Sequence, residues 1–341
     1  MPADFYPALK NASRLLLEVG LKPAQGQRFQ PTGFADLGAA QYTTPEGTKM
    51  LLVESAQSVA NRLERAIVNG DGVDVRPELM GLPYVRVQLT GHGEGVATSS
   101  LVEAHRLNSP FIVTNEAFSK PFLEKSGYRK GQVISWSKAA AAVFHFDPCA
   151  LLHGVFFANI EDGRLRFPRA VTGFIEASEV AEAPSGGVKN NHFDPSGEIR
   201  AEGESRDVYS NVPYSRLEFT ARDIRAYFNI DLALIRGYGL PAIADQLLVT
   251  LALYKIRRFL EEGLRLRTAC DLVIREELTA TAPASFTLPT TAALAEALPA
   301  MIAAGAKEKD LLASPPVLEL KTKTVKKVVD KKASEGPKGD E

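Results

Sequence analysis

The most regular hydrophobic pattern of the chain lies between residues 51 and 67. Apolar residues recur there at intervals of three and four, which predicts a helix with one buried face: Leu52, Ala56, Val59, Leu63 and Ile67. The pattern leaves the start of this helix open. Thr48 is the N-cap if residues 50–53 continue the helix, whereas Ser55 is the N-cap if they form a short strand. In the second case, free backbone N–H groups near residues 55–58 would form an anion site.

A polar stripe follows another face of the same helix. It consists of Ser55, Ser58, Arg62 and Arg65, with Gln57 and Asn61 beside it. These side chains offer hydrogen-bond donors and no carboxylate, which suits a polyanionic backbone. A solvated helix face is the alternative interpretation, and the flanking Glu54 and Glu64 weaken the electrostatic argument.

Four further segments have a regular pattern. Residues 84–89 alternate between apolar and polar positions and predict a half-buried strand. A long apolar helix is predicted from Pro241 to Gly263, and the alternating residues 265–274 predict a strand that completes a β-α-β arrangement. Arg265 and Arg267 lie on the polar face of that strand, where they contact either a nucleic acid or only solvent. Another helix is predicted at residues 291–304.

Three segments lack such a pattern. Residues 23–50 form a long loop with Gly26, Arg28 and Gln30, and such a loop either binds a ligand or is merely mobile. Residues 184–213 are rich in Gly, Pro, Asn, Ser and charge, which predicts an exposed excursion that is either disordered or a protruding hairpin. From residue 315 onwards the chain is lysine-rich and low in complexity, which predicts a disordered tail.

Composition and motifs narrow the class of function. A net charge of −1 over 341 residues argues against coating of nucleic acid through bulk charge, so any such site must be local. Two distant cysteines, no signal-peptide pattern and no apolar run of membrane-spanning length predict a soluble, cytoplasmic protein. The five histidines lack metal-site spacing, and the Gly-rich residues 91–97 lack the Gly-Lys-Ser/Thr of a phosphate-binding loop. We therefore predict no cofactor, no metal and no catalytic residue.

Several long runs resemble one protein family. They include LLLEVGLKPAQGQRFQPTGFADLGAA (15–40), LLVESAQSVANRLE (51–64), GGVKNNHFDPSG (186–197), NVPYSRLEFTA (211–221), AYFNIDLALIRGYGL (226–240) and LALYKIRRFLEEGLRLRTACDL (251–272). These runs resemble the backbone subunit of type I-G (formerly I-U) CRISPR Cascade complexes, a member of the RAMP superfamily. Residues 54–58 also resemble the Ser-Ser-Gln-Ser-type segment that opens the first helix of more distant backbone subunits, with the first Ser lost.

The resemblance implies an α+β fold. Residues 13–275 would form an RNA-recognition-type (ferredoxin-like) palm that begins with a strand at residues 13–22 and carries an inserted helical region. Residues 184–213 would form a protruding thumb hairpin that folds over the guide RNA of a neighbouring subunit. Residues 276–314 would form an Ala/Thr/Pro-rich C-terminal extension, and residues 315–341 the disordered Lys-rich tail.

The resemblance also implies a function without catalysis. Copies of the chain would oligomerise along crRNA and present the guide for pairing with target DNA, in contact with other Cascade subunits, namely the large subunit and the fused cap/processing subunit. No membrane partner is expected. The candidate RNA-binding residues are Arg28, Gln30, Lys49, Ser55, Gln57, Ser58, Asn61, Arg62, Arg65, Lys189, Asn190, His192, Arg200, Arg265 and Arg267. Two alternatives remain open: a RAMP-type endoribonuclease that processes guide RNA, and a structural oligomer without direct RNA contact.

Overall fold

A computed structural model describes residues 5–34, 36–91, 95–196, 198 and 211–323. Its strands are β1 (Leu15–Pro23), β2 (Gly33–Phe34), β3 (Gly38–Ala39), β4 (Gln41–Thr43), β5 (Lys49–Glu54), β6 (Tyr84–Thr90), β7 (Ala97–Ser99), β8 (Val155–Phe156), β9 (Arg166–Phe167), β10 (Val171–Ser178), β11 (Ala181–Lys189), β12 (Val212–Thr220), β13 (Asp223–Ile230), β14 (Leu264–Arg267), β15 (Cys270–Ile274), β16 (Thr279–Ala282) and β17 (Val317–Lys323). Its α-helices are α1 (Ala56–Arg65), α2 (Pro110–Val113), α3 (Glu116–Ser126), α4 (Trp136–Phe146), α5 (Pro148–His153), α6 (Leu232–Gly237), α7 (Ala242–Glu261) and α8 (Thr291–Lys307).

The main sheet has the strand order of a ferredoxin-like palm. Its strands follow the order β14-β15-β1-β13-β10-β5-β4, and β16 also pairs with β1. Read along the chain, β1, α1, β10, β13, α7 and β15 form two split β-α-β units, whose four strands lie antiparallel in the spatial order β15-β1-β13-β10. The predicted α+β fold with an RNA-recognition-type palm is confirmed.

One face of this sheet is packed and the other is partly open. Alternate residues of β10 and β13 are buried, for example Ile175 opposite Ala226, and α1 and α7 cover that face. On the opposite face, Phe174 stacks on Tyr227 with ring centroids 5.1 Å apart. Glu18 and Glu176 also lie on this opposite face. Arg225 lies on the same face, with its Nη1 3.8 Å from Glu18 Oε2, so this face carries charges of both signs.

An inserted region lies between α1 and β10. It contains helices α2 to α5 and strands β6 to β9, and β6 and β7 form a second sheet with the C-terminal strand β17 in the order β17-β6-β7. The predicted strand at residues 84–89 is present as β6, with Val85 and Val87 fully buried. Its parallel partner is β17, which runs from Val317 opposite Tyr84 to Lys323 opposite Thr90. The expectation of a disordered tail from residue 315 is therefore wrong for residues 317–323, and residues 324–341 lie outside the described part of the chain.

The polar excursion forms a two-stranded hairpin at its base. β11 and β12 pair from Ala181 opposite Thr220 to Lys189 opposite Val212, and they continue the palm strands β10 and β13. The hairpin alternative is thus the one that the structure supports. Residues 197 and 199–210, which include the candidate Arg200, lie outside the described residues.

Three further predicted elements differ from those observed. Residues 23–50 are not one continuous loop, because they contain β2, β3, β4 and the start of β5. Residues 50–53 belong to strand β5, so Leu52 is not a helical residue, and α1 begins after Ser55. Residues 265–274 form the hairpin β14–β15 instead of one strand, with a tight turn at residues 268–269. No Gly, Pro, Asn or Asp marks that turn, and the buried Leu266, Cys270 and Leu272 keep the alternating pattern across it.

Candidate nucleic-acid interface

The first turn of α1 has the geometry of a capped helix terminus. Ser55 is extended, and its Oγ accepts a hydrogen bond from the Ser58 N–H at 3.2 Å. The N–H groups of Ala56 and Gln57 have no acceptor within the helix, and they lie at the positive end of its dipole. The predicted anion site at residues 55–58 remains a prediction that fits this geometry.

Exposure divides the polar stripe of α1 into two rows. Gln57, Asn61 and Arg65 are exposed and spaced by four residues, and Gln57 Nε2 donates to Asn61 Oδ1 at 2.8 Å. Ser58 and Arg62 are half-buried on the neighbouring row. Arg65 therefore belongs with the two amides, whereas the sequence grouped it with Ser55, Ser58 and Arg62.

The exposed row lines a cavity of about 610 Å³, which we call the α1 groove. Its other wall includes Glu103 and Arg106. Glu64 also borders the groove, and its carboxylate accepts from Arg106 Nε at 2.6 Å. Glu103 accepts from the hydroxyls of Thr98 at 2.6 Å and Ser109 at 2.8 Å. Arg65 makes no ion pair with any described residue, so its cation is available to an anion in the groove.

Two further arginines next to the groove escaped the sequence reasoning. Arg106 has a left-handed backbone (φ 51°) and also donates to the Gly154 carbonyl at 2.9 Å. Arg169 donates to Gln57 Oε1. Burial and the neighbouring Arg106 cation lower the pKa of Arg169. The run RLRFPRA (164–170), with three arginines around an aromatic residue, is the signal that could have identified Arg169.

Arg62 and Arg267 serve an ion cluster inside the fold. Both bind Glu54, whose side chain is only 2% exposed; the Arg62 Nε–Glu54 Oε1 distance is 3.0 Å. Arg62 Nη2 also donates to the Leu266 carbonyl at 2.7 Å, and Arg267 Nη1 to the Gln30 carbonyl at 2.8 Å. These bonds join β5, α1, β14 and the loop before β2. An RNA contact by either arginine remains a prediction, but most of their donors are engaged within the chain.

The loop that precedes β2 is fixed in place. Phe29 and Phe219 are buried and exchange two backbone hydrogen bonds at 2.9 and 2.8 Å, which tie the loop to the base of the hairpin. Arg28 and Arg265 are exposed and line a second cavity of about 650 Å³. Glu218 and Asp271 line it too, so its charge is mixed. The backbone N–H of Gln30 donates to Ala269, and Lys49 is exposed at the start of β5.

The hairpin carries the remaining candidates at its far end. Lys189 belongs to the last pair of β11 and β12, and Asn190 and His192 follow it; all three are exposed. Exposed apolar side chains follow the same hairpin: Val188, Phe193, Val212, Tyr214 and Leu217. Most of the described candidates thus lie in the α1 groove, in the ion cluster around Glu54, in the cavity beside Arg28 or at the hairpin end.

The described residues show neither a metal-ion site nor a membrane-spanning helix. No group of three or more His, Cys, Asp or Glu side chains in that part of the chain is arranged to hold a metal ion. The helices described there include none with the length and apolar character needed to cross a bilayer.

Comparison with known proteins relates part of the chain to a family. Residues 15–182, slightly less than half of the sequence, match the family described as CRISPR-associated protein GSU0053. No curated protein matches the sequence. Among solved structures, a chain of "CRISPR RNA-guided surveillance complex, pre-nicking" is 11% identical, with 76% of this chain and 74% of that chain covered and a TM-score of 0.40.

Csc2 from Thermofilum pendens is 9% identical, with 89% of this chain and 80% of that chain covered and a TM-score of 0.31. At such TM-scores the two likenesses carry no argument, so the fold assignment depends on the strand order alone. The match over residues 15–182 relates the palm start, α1 and the inserted region to CRISPR-associated proteins.

Proposed function

We propose that the chain is a noncatalytic backbone subunit of a CRISPR type I Cascade complex, of type I-G, which oligomerises along crRNA and presents the guide to target DNA. The observation that carries this proposal is the α1 groove. It places exposed amides, and an arginine that makes no ion pair with any described residue, on the first helix of an RNA-recognition-type palm. The match of residues 15–182 to a CRISPR-associated family supports the same class of protein.

The groove suits a phosphate backbone better than a base sequence. Gln57, Asn61 and Arg65 present donors, and the free N–H groups of the first α1 turn add dipolar attraction for an anion. Such contacts fix a strand in place without reading its bases. Guide bases would stay free to pair with target DNA, and base pairing would supply the sequence specificity.

The thumb hairpin suits a contact with another copy of the chain. A two-stranded hairpin cannot bury its own apolar side chains, and Tyr214 and Val212 are each 51% exposed. In an array along crRNA, the thumb of one copy would cover these side chains against its neighbour. Lys189, Asn190 and His192 would then lie over the RNA of that neighbour. Contacts with the large subunit and the cap/processing subunit belong to the same proposal.

The test is co-expression of the chain with its guide array, followed by purification and analysis of the bound nucleic acid. Wild-type protein should carry RNA of uniform length in a large assembly, and this RNA should stay intact with Mg²⁺. Shortening of the RNA with Mg²⁺ would favour the endoribonuclease alternative.

Replacement of one groove cation makes the test specific to the proposed surface. Arg65→Ala should weaken RNA binding and reduce the salt slope of log K by about 0.7, the value for one phosphate contact to a single strand. Lys120→Ala removes an exposed cation on α3 and should leave both values unchanged. Unaltered RNA affinity in Arg65→Ala with a defect only in assembly would contradict the proposal and support the structural oligomer.

A further inference from the structure

Another cavity, distinct from the one beside Arg28, adjoins the α1 groove, and its ionisable lining residues are all arginines or histidines. It occupies about 570 Å³ between residues 104–110 and residues 153–169, and Arg106 lines both this cavity and the groove. Arg106, Arg166, Arg169, His105 and His153 line it, whereas none of the described residues that line it is an Asp or Glu. Glu64 pairs with Arg106, so Arg166 and Arg169 supply most of the positive charge that favours an anionic ligand in this cavity.

The mouth of the cavity offers a flat surface. Phe156 and Arg166 face each other across the β8–β9 pair, and the Arg166 guanidinium carbon lies 4.2 Å from the Phe156 ring centroid. Arg166 is exposed and Phe156 is 41% exposed, although a large aromatic side chain is normally more buried. Unstacked nucleobases bind in this way to guanidinium planes and aromatic rings.

A buried histidine in the wall lacks one hydrogen bond. His153 is 1% exposed, and its Nε2 lies 2.8 Å from Lys255 Nζ. Because an ammonium group only donates, Nε2 accepts this bond and the ring proton resides on Nδ1. Nδ1 is buried and finds no partner among the described residues, which leaves a donor unused.

The surroundings of His153 keep its ring neutral. Burial, together with the cations of Lys255, Arg106 and Arg169, lowers the pKa of His153 well below its usual range. Of these cations, Arg106 and Arg169 also line the cavity, where they attract an anion.

We propose that this cavity binds one unstacked nucleotide, with the base on the Arg166–Phe156 layer and the phosphate toward Arg106 and Arg169. The inference rests on the proposed function in one respect, since the α1 groove that shares Arg106 would hold the rest of the strand. The common chemistry is a nucleoside 5′-phosphate, which either belongs to an RNA strand or is free in solution. A volume of about 570 Å³ falls in the range of small-ligand sites.

The experiment uses the full chain freed of RNA with high salt. Binding of a labelled oligouridylate is measured by fluorescence anisotropy, and binding of UMP and ribose 5-phosphate by calorimetry. Phe156→Ala and Arg166→Ala should each weaken the oligouridylate by about five-fold or more, the lower end for loss of one base stack. An oligouridylate with abasic positions should bind more weakly and should respond less to Phe156→Ala.

The controls separate this cavity from the groove. Lys120→Ala should bind every probe as wild type does, and thermal melting checks that the two cavity variants are folded. UMP binding that depends on Arg166 and exceeds ribose 5-phosphate binding would assign the cavity to free nucleotides as well. An Arg166 effect on the oligouridylate alone would assign it to a unit of a strand.

Different outcomes would overturn the two proposals. If both cavity variants bind the oligouridylate and UMP as wild type does, while Arg65→Ala loses RNA, the nucleotide cavity is refuted and the RNA-binding function stands. If no RNA binds the wild type and UMP still binds through Arg166, the backbone function fails and the cavity stands.

Discussion

The ion cluster around Glu54 makes a quantitative prediction about stability. Glu54→Gln keeps the shape of the side chain but removes the charge that holds Arg62 and Arg267. The Gln carbonyl can accept from one guanidinium, whereas its NH₂ group faces the donors of the other. Arg62 on α1 and Arg267 on β14 then no longer share one carboxylate.

The size of the effect follows from burial. Removal of one partner from a fully buried ion pair costs about 3–5 kcal/mol. Glu54 is 2% exposed, but the side chains of Arg62 and Arg267 are 30% and 23% exposed and keep some hydration. Their bonds to the Leu266 and Gln30 carbonyls also remain. We therefore expect a loss of about 2–4 kcal/mol in the free energy of unfolding.

Urea unfolding measures this loss, with circular dichroism and the fluorescence of the single tryptophan, Trp136, as two probes. The matched control is Glu116→Gln, which breaks an exposed i,i+4 pair with Lys120 and removes a charge from the first turn of α3, and it should cost no more than about 1 kcal/mol. A Glu54→Gln variant as stable as this control would refute the structural role of the cluster.

Three further predictions concern the fold. Burial raises the pKa of Asp147 to about 6 from 3.8, so the stability that its protonated form contributes is complete below about pH 4 and is lost as the pH rises through 6. Asp147→Asn should therefore be more stable relative to wild type at pH 7 than at pH 4.5. A difference in the free energy of unfolding in urea that is the same at both pH values would contradict this. Gly154→Ala should cost about 1–3 kcal/mol, because residue 154 has φ +78° and an added Cβ would lie 3.0 Å from the Phe167 carbonyl; a melting temperature equal to that of wild type would be inconsistent with this strain. Phe29→Ala should lower the free energy of unfolding by about 3–5 kcal/mol and release the loop before β2. Limited proteolysis would detect this release as faster cleavage near residues 24–32, whereas unchanged cleavage would show that other contacts hold the loop.

Local sequence patterns predicted those elements whose start, end and apolar face are visible within one short segment. The sequence predicts helix α7 because an apolar run lies between Pro241 and Gly263, and it predicts α8 because the apolar residues there are periodic. The whole palm topology was less accessible to pattern alone, since the split β-α-β arrangement depends on which strands pair. It came from the family resemblance, and the strand order confirms it.

The candidate site was predicted less completely, because its layout depends on tertiary contacts. Helical spacing put Arg62 and Arg65 on one stripe, but the buried Glu54 binds Arg62 and leaves Arg65 to the groove. Arg106 opens a single 3₁₀ turn and Arg169 lies in a connecting segment, so no helical or strand periodicity marks either residue. Only the folded chain brings Arg169 to Gln57 and Arg106 to Glu64. No spacing rule applies to residues separated by that much sequence.

The parallel pair of β6 and β17 has a consequence for synthesis on the ribosome. Tyr84 and Val317 are neighbours in the ladder, so the sheet of the inserted region cannot be completed until the chain has been made through residue 323. Until then β6 has β7 on one side and an unpaired edge on the other, and such an edge is a site for pairing with another chain. Many copies made from one message would emerge close together with this edge exposed. The nascent chains are therefore most prone to mispairing in the interval between synthesis of β6 and arrival of β17.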